Sequence, residues 1–384
     1  MKRHGNLWEK LISEENIRQG ILNACNNTGS KTATKRRNMR KTKERIDETV
    51  IKVQAMLKNG TFRTSHYYIY PLFDPKLRFI YCLPFYPDRL VHHCLLNVLE
   101  PIWDKLMYTS SYACRKGYGQ HMAGTKCGEY ARKYKYCCQF DVSQFYININ
   151  HDILKTVVRR KIKDRKLLAL IDTIIDSIAT RDVNLELLHR MRSDGSTCPD
   201  VPREIQKLTT AKELDGSIAG LPIGNYTSQW LGNVYLNELD TFIKQKLRIK
   251  PYIRYCDDFL VFGNDKAELH ERAEEIRSFL WESLHLILSK REVFPTSQGV
   301  DFVGYRYFHN GVVLLRKRTA KKQRRLLRKI RASIENRLPM DYERARGQLG
   351  SMNGLLKWAQ TYHFRKACGY EEIAKEVTDL AQIQ

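Results

Sequence analysis

The sequence has no apolar run long enough to cross a bilayer; its best stretch, Leu167 to Ala179, is interrupted by Asp172 and Asp176. The opening Met1-Lys2-Arg3-His4-Gly5-Asn6 is followed by no apolar segment, so no secretory signal is expected. No two of the ten cysteines have C-x-x-C spacing, which argues against a zinc knuckle and a disulfide scaffold, and predicts buried reduced thiols in a cytosolic protein. Acidic residues are in short supply, with 42 Asp and Glu against 66 Lys and Arg in 384 residues. The resulting charge of +24 points to a polyanion as partner, most often nucleic acid. Apolar residues make up 42%, which excludes wholesale disorder, and no internal repeat is evident.

The cations are not spread evenly. Eight of residues 31–45 are Lys or Arg, a run that is either a solvated helix face or a phosphate-contacting surface. Between Arg316 and Arg331, ten of sixteen residues are basic and none is acidic. A solvated face usually mixes signs, so the second run, with Arg316, Lys317, Arg318, Lys321, Lys322, Arg324 and Arg325, is expected to contact a phosphate backbone.

Periodicity places the elements. Ile46, Val50, Val53 and Leu57 predict a helix that stops at Asn59-Gly60. Residues 62–85 are strand-like, broken by Pro71, Pro75 and Pro84, and a helix is expected from Asp88. Tyr136 to Val142 reads as a buried strand and a helix begins near Asn150; the polar, poorly patterned stretch 164–220 reads as an insertion. Leu231, Tyr235, Leu239, Phe242 and Ile243 mark one face of a helix capped near Thr227. Tyr252 to Tyr255 and Phe259 to Phe262 read as strands of a hairpin with Cys256-Asp257-Asp258 at its tip. Asp265 and Glu268 form a capping box for the next helix, and Leu286 to Leu288 is strand-like again. A further hairpin turns at His309-Asn310-Gly311, before the basic helix. From Tyr136 onward the order is that of the split ferredoxin-like unit, in an α+β fold.

Two adjacent carboxylates between apolar strands repel each other and are costly to desolvate, and a divalent cation relieves both costs. Asp141, at the end of another apolar strand, lies beside the hairpin in the expected order. Three carboxylates on adjoining strands of a basic protein fit a two-metal phosphoryl-transfer site, for which hard oxygen ligands favour magnesium.

Those residues resemble a family. Phe140-Asp141-Val142 with Tyr146, Leu221-Pro222-Ile223-Gly224-Asn225 with Ser228, and Tyr255-Cys256-Asp257-Asp258 resemble the successive palm motifs of reverse transcriptases. Lys76-Leu77-Arg78-Phe79-Ile80, Asp88-Arg89-Leu90-Val91-His92-His93, Ser289-Lys290, Phe302-Val303-Gly304-Tyr305 and Gly354-Leu355-Leu356-Lys357-Trp358-Ala359 extend the resemblance over residues 62–365. Most retroelement enzymes carry Gln before the Gly of the middle motif and Pro after its Ser. Ile223 and Gln229 stand there instead, and this variant looks like the reverse transcriptases of diversity-generating retroelements, which copy a template-repeat RNA with errors at adenines. The length leaves no room for a ribonuclease H domain or a maturase region with nuclease, and the Val-Thr-Gly signature of retron enzymes is absent. The alternatives are another bacterial retroelement or defence-associated reverse transcriptase, and a catalytically silent RNA-binding relative.

The resemblance implies a right-hand polymerase: a basic extension (1–60), fingers (61–135), a ferredoxin-like palm (136–310, insertion about 164–220) and a helical basic thumb (311–384). It implies two Mg²⁺ ions, replaceable by Mn²⁺, on Asp141, Asp257, the Val142 carbonyl and, more weakly, Asp258. Arg78 would hold the incoming triphosphate, Tyr146 would exclude a 2′-hydroxyl, Ile223 and Gly224 would lie against the nucleotide, and Lys290 would approach the leaving pyrophosphate. For Tyr146 a place in the core, and for Lys290 a plain surface position, stay open; His92, His93 and His121 lack metal-like partners and are expected to be structural or RNA-facing. The implied partners are template RNA, a DNA or RNA primer, dNTPs and a small basic pentameric accessory protein, in the cytoplasm.

Overall fold

The computed structural model describes residues 3–26, 33–73 and 76–383. Pro75, most of the polar stretch before the first basic run and the start of that run lie outside the described residues. The chain folds into two compact units. The first takes residues up to 114, 141–248 and 274–290; the second takes 115–140, 249–273 and everything from 291 on.

In the first unit, helices Glu14–Cys25, Ala33–Glu44 and Ile46–Lys58 gather near helix Leu90–Leu106. Gly20 permits this close approach, since a Cβ there would lie 2.5 Å from Cys94 Sγ. The predicted face Val50, Val53 and Leu57 is buried. The strand-like region forms an antiparallel hairpin of β1 (Tyr68–Leu72) and β2 (Arg78–Cys82), in register from Tyr68↔Cys82 to Leu72↔Arg78. With a side-chain period of two, Phe79 and Tyr81 point inward while Arg78 stays exposed.

That inner face packs on residues 164–220, where the sequence shows little pattern but the chain is helical. Three helices run there, Arg165–Ile175, Thr180–Ser193 and Asp200–Leu214, and Leu188, Val201, Ile205 and Leu208 form one core cluster with Leu77, Phe79 and Tyr81. Helix Tyr226–Thr241 starts close to Thr227, as expected, and is buried on nearly all sides. The residue at the N-cap is Asn225, and its amide donates to Tyr67 Oη at 3.1 Å instead of capping the helix.

Most of a four-stranded sheet falls in the second unit, in the order β4-β5-β3-β6, from β3 (Tyr136–Val142), β4 (Tyr252–Tyr255), β5 (Asp258–Gly263) and β6 (Leu288–Pro295). This strand order is the one a split β-α-β-β-α-β unit produces, with β5 beside β3. Phe140 stacks on Phe259 at 4.6 Å between centroids, and Tyr130 of helix Gln120–Lys133 reaches Phe262 at 5.6 Å. Asp265 caps the following helix, accepting from Glu268 N at 3.0 Å. A second, three-stranded sheet follows, of β7 (Val300–Phe302), β8 (Tyr305–Tyr307) and β9 (Val313–Leu315). Beyond it, helices Lys317–Glu335, Tyr342–Leu356 and Tyr370–Ile383 close around Leu327, Ile330, Leu349, Met352, Leu356 and Val377. Among the described residues no helix is long and apolar enough to cross a membrane, and all ten cysteines are free thiols.

Candidate active site

The acidic hairpin is tighter than its sequence suggested. Tyr255 pairs with Asp258, so Cys256 and Asp257 alone make the turn and Asp258 is the first residue of β5. Cys256 takes φ +55°, a left-handed conformation that an L side chain adopts only where its surroundings hold it there. Arg254, fully buried in β4, does that by donating through Nη1 to the Cys256 carbonyl at 3.2 Å. Asp258 Oδ1 accepts from Gln139 Nε2 at 3.4 Å, and the same nitrogen donates to the Asp301 carbonyl of β7 at 3.0 Å. Both Gln139 and Arg254 escaped sequence reasoning. The available signal was one polar residue inside each apolar strand, an expensive placement unless it is bonded.

Asp141 is half-buried near the end of β3, two residues beyond Gln139 and so on the same face of the strand. Ser289 Oγ lies 2.5 Å from its Oδ2 and 3.1 Å from its carbonyl oxygen. Val142 is buried, and the next residue is anchored by Ser143 N donating to the Ile287 carbonyl at 2.7 Å. Lys290, half-buried, follows Ser289 on β6.

Among the described residues no group of three or more His, Cys, Asp or Glu side chains is placed to hold a metal ion. The carboxylates of Asp141, Asp257 and Asp258 are each partly exposed.

Of the nucleotide-binding candidates, Ile223 and Gly224 lie on a segment bonded to the main chain of Tyr146 and of β2. On one side Leu221 N donates to the Tyr146 carbonyl at 2.7 Å; on the other, Tyr81 N of β2 donates to the Ile223 carbonyl at 2.8 Å. Gly224 sits at φ +129°, and a Cβ there would meet the Tyr81 carbonyl oxygen at 2.4 Å, so only glycine passes. Tyr81 is itself fixed, its buried hydroxyl donating to Asn184 Oδ1 at 2.5 Å and held well above its ordinary pKa by burial. Arg78 stands three residues earlier on the same strand, exposed. The Tyr146 ring lies 5.1 Å from Phe145, over Gly232, where a Cβ would come within 3.1 Å of both rings.

The histidines separate by burial. His92 is enclosed, with Nδ1 3.3 Å from Thr227 Oγ1, and burial, followed by the charges of His93 and Arg89, pushes its pKa down to about 3. His93 lies 5.1 Å from the Tyr226 ring and is lowered to about 4, by burial first and then by Arg89. Neither is protonated at neutral pH. His121 stacks on Trp358 at 4.1 Å, at the edge of a cavity of about 200 Å³ that Arg132 and Tyr307 also line.

The basic run 316–331 opens and fills helix Lys317–Glu335. Leu327 and Ile330 are buried while Lys317, Arg318, Lys321, Lys322, Arg324 and Arg325 are exposed. Arg316 at the N-cap lies 3.7 Å from Asp301, and Arg324 sits 5.8 Å above the Phe364 ring. In the earlier run, Arg36, Arg37, Arg40, Lys41 and Lys43 are exposed.

Residues 73–307 match the family model described as reverse transcriptase (RNA-dependent DNA polymerase). The chain is 28% identical over 253 residues to Protein YkfC of Escherichia coli K12, covering 62% of this chain and 63% of that protein. It is 26% identical over 199 residues to the mitochondrial Nuclear intron maturase 1 of Arabidopsis thaliana, covering 46% of this chain and 28% of the relative. It is 22% identical over 340 residues to the group II intron-encoded protein LtrA of Lactococcus lactis, covering 77% of this chain and 55% of the relative. The chain thus spans less than two thirds of the length of each of these relatives.

Proposed function

Since this chain belongs to the reverse transcriptase family of RNA-dependent DNA polymerases, we propose that it copies a template-repeat RNA into error-prone, adenine-mutagenised cDNA for mutagenic retrohoming. The observation that carries the finer reading is Ile223. An apolar side chain stands where most relatives place Gln, on a segment whose main chain is bonded to the strand bearing Arg78.

In this reading the four parts are the basic extension 1–60, fingers 61–135, palm 136–310 and thumb 311–384. Asp141 and Asp257, with the Val142 carbonyl and more weakly Asp258, hold two Mg²⁺ ions or Mn²⁺ in their place. When bound, these would stabilise the charge that builds on the attacking and leaving oxygens. Arg78 clamps the triphosphate through its planar guanidinium. Tyr146 packs beneath the deoxyribose and blocks a 2′-hydroxyl, and Gly224 lets the backbone approach the nucleotide. Lys290 brings positive charge to the departing pyrophosphate. The exposed cations of helix Lys317–Glu335 hold the template–primer backbone. A small basic pentameric accessory protein assists in the cytoplasm, with RNA bridging the two like-charged proteins.

A second reading, a reverse transcriptase of another bacterial retroelement, is favoured by the relatives named as intron-encoded or maturase proteins. The flanking DNA decides between the two. Paired near-identical repeats differing at adenines belong to the first reading, and their absence to the second.

The activity itself is tested by primer extension on RNA. Wild type should require Mg²⁺ or Mn²⁺. Asp257→Asn should cut incorporation at least about 10³-fold, the scale of losing a key charge-stabilising group in phosphoryl transfer, with RNA binding retained. Full synthesis by that variant would refute the carboxylate assignment.

A further inference from the structure

Gln139 is the one buried polar side chain of β3, where Cys137, Cys138, Phe140 and Val142 are the other buried residues. It is only 5% exposed. A carboxamide nitrogen carries two N–H bonds in a fixed plane, and here one nitrogen serves two acceptors, Asp258 Oδ1 at 3.4 Å and the Asp301 carbonyl at 3.0 Å. Three separate strands are thereby joined through a single atom: β3, β5 and β7. The Asp301 carboxylate continues the connection, lying 3.9 Å from Arg306 and 3.7 Å from Arg316, the residue that opens the basic helix. The Cys127 thiol is fully enclosed and is pushed well above its usual pKa, by burial first and then by the Asp258 charge.

We infer that Gln139 is a positioning residue for the metal-dependent reaction. It fixes the carboxylate of Asp258 and ties its orientation to the β7–β8 hairpin. A neutral donor suits that task, because it orients a carboxylate without cancelling the charge that a cation needs. The inference rests on the assignment of the carboxylates as metal ligands. It adds that the weakest of the three is held by a residue that meets neither metal nor substrate.

Two substitutions of similar shape separate this from a packing role. Gln139→Met keeps the volume and loses the donor; Gln139→Glu keeps the outline and turns a donor into a repelling carboxylate. With the full-length protein and Mn²⁺ as the paramagnetic probe, Gln139→Met should raise the concentration for half-saturation roughly tenfold, the usual cost of removing the group that orients a metal ligand. Its melting temperature and its KM for primer–template should stay at the wild-type values while kcat falls. Gln139→Glu should be worse on Mn²⁺ affinity and kcat. Unchanged Mn²⁺ affinity in Gln139→Met, with normal wild-type binding, overturns the inference alone. Equal Mn²⁺ binding by wild type and Asp257→Asn overturns the carboxylate reading and the inference with it. If Gln139→Met melts early, the cycle with Asp258→Asn decides. Effects on Mn²⁺ affinity that are less than additive support the bond between the two side chains, and additive ones refute it.

Discussion

The acidic β4–β5 hairpin and the basic helix Lys317–Glu335 belong to the same compact unit and handle charge in opposite ways. In the hairpin, two neighbouring carboxylates have individually assigned supports: Arg254 holds the turn through the Cys256 carbonyl, and Gln139 holds Asp258. In the helix, eight of the cations face solvent and the element is anchored by its other side, through Leu327 and Ile330. Chemistry at a phosphorus atom depends on where a few charges stand. Attraction to a phosphate backbone depends on how many there are, and it tolerates imprecision in each.

The contrast sets a hierarchy of expected effects below the near-total loss anticipated for Asp257→Asn. Replacing Lys321, Lys322, Arg324 and Arg325 together with Gln should weaken template–primer binding about tenfold or more near physiological salt. It should also lower the slope of log affinity against log salt by about 0.7–0.9 for each phosphate no longer neutralised. A filter-binding salt series measures both. A single such substitution that matched the quadruple variant would break the contrast, since it would mean one cation is individually placed. Tyr146→Val comes next. Opening space beside the sugar should raise ribonucleotide use about tenfold, the worth of a small steric difference in a pocket. An unchanged ribo- to deoxynucleotide ratio in competition assays would return the ring to a core role beside Phe145. The smallest effect is expected at Ile223. Gln at this position restores a hydrogen-bonding group worth roughly 0.5–1.5 kcal/mol, so errors opposite template adenine should fall several-fold in sequenced products. An identical error spectrum would place the infidelity elsewhere.

Much of this was legible in the chain because the relevant elements obey simple periods. β3 and the β4–β5 hairpin are short apolar runs ending in acids, and the basic helix has an unmixed charge pattern. The region 164–220 was not legible, for a physical reason. Helix Thr180–Ser193 buries Thr180, Arg181 and Asn184, so its inward face is largely polar and no apolar stripe appears in the sequence. Arg181 pairs there with Asp215 at 3.5 Å, an acid whose surroundings, Ser217 and His285 among them, hold its pKa below the usual range. Gln139 was invisible for a different reason. Its partners lie 119 and 162 residues away, and only the folded sheet brings them within reach.

The bond between Tyr81 N and the Ile223 carbonyl joins main chain to main chain. Any residue other than proline at position 81, and any residue at all at 223, preserves it. The side chain at 223 is therefore free to drift across generations while the strand carrying Arg78 keeps its anchorage. Gly224, hemmed in by the Tyr81 carbonyl, has no such freedom. Two adjacent positions thus differ in what heredity can do with them. One can vary without disturbing the main-chain bond, and the other is held to glycine by the carbonyl against it.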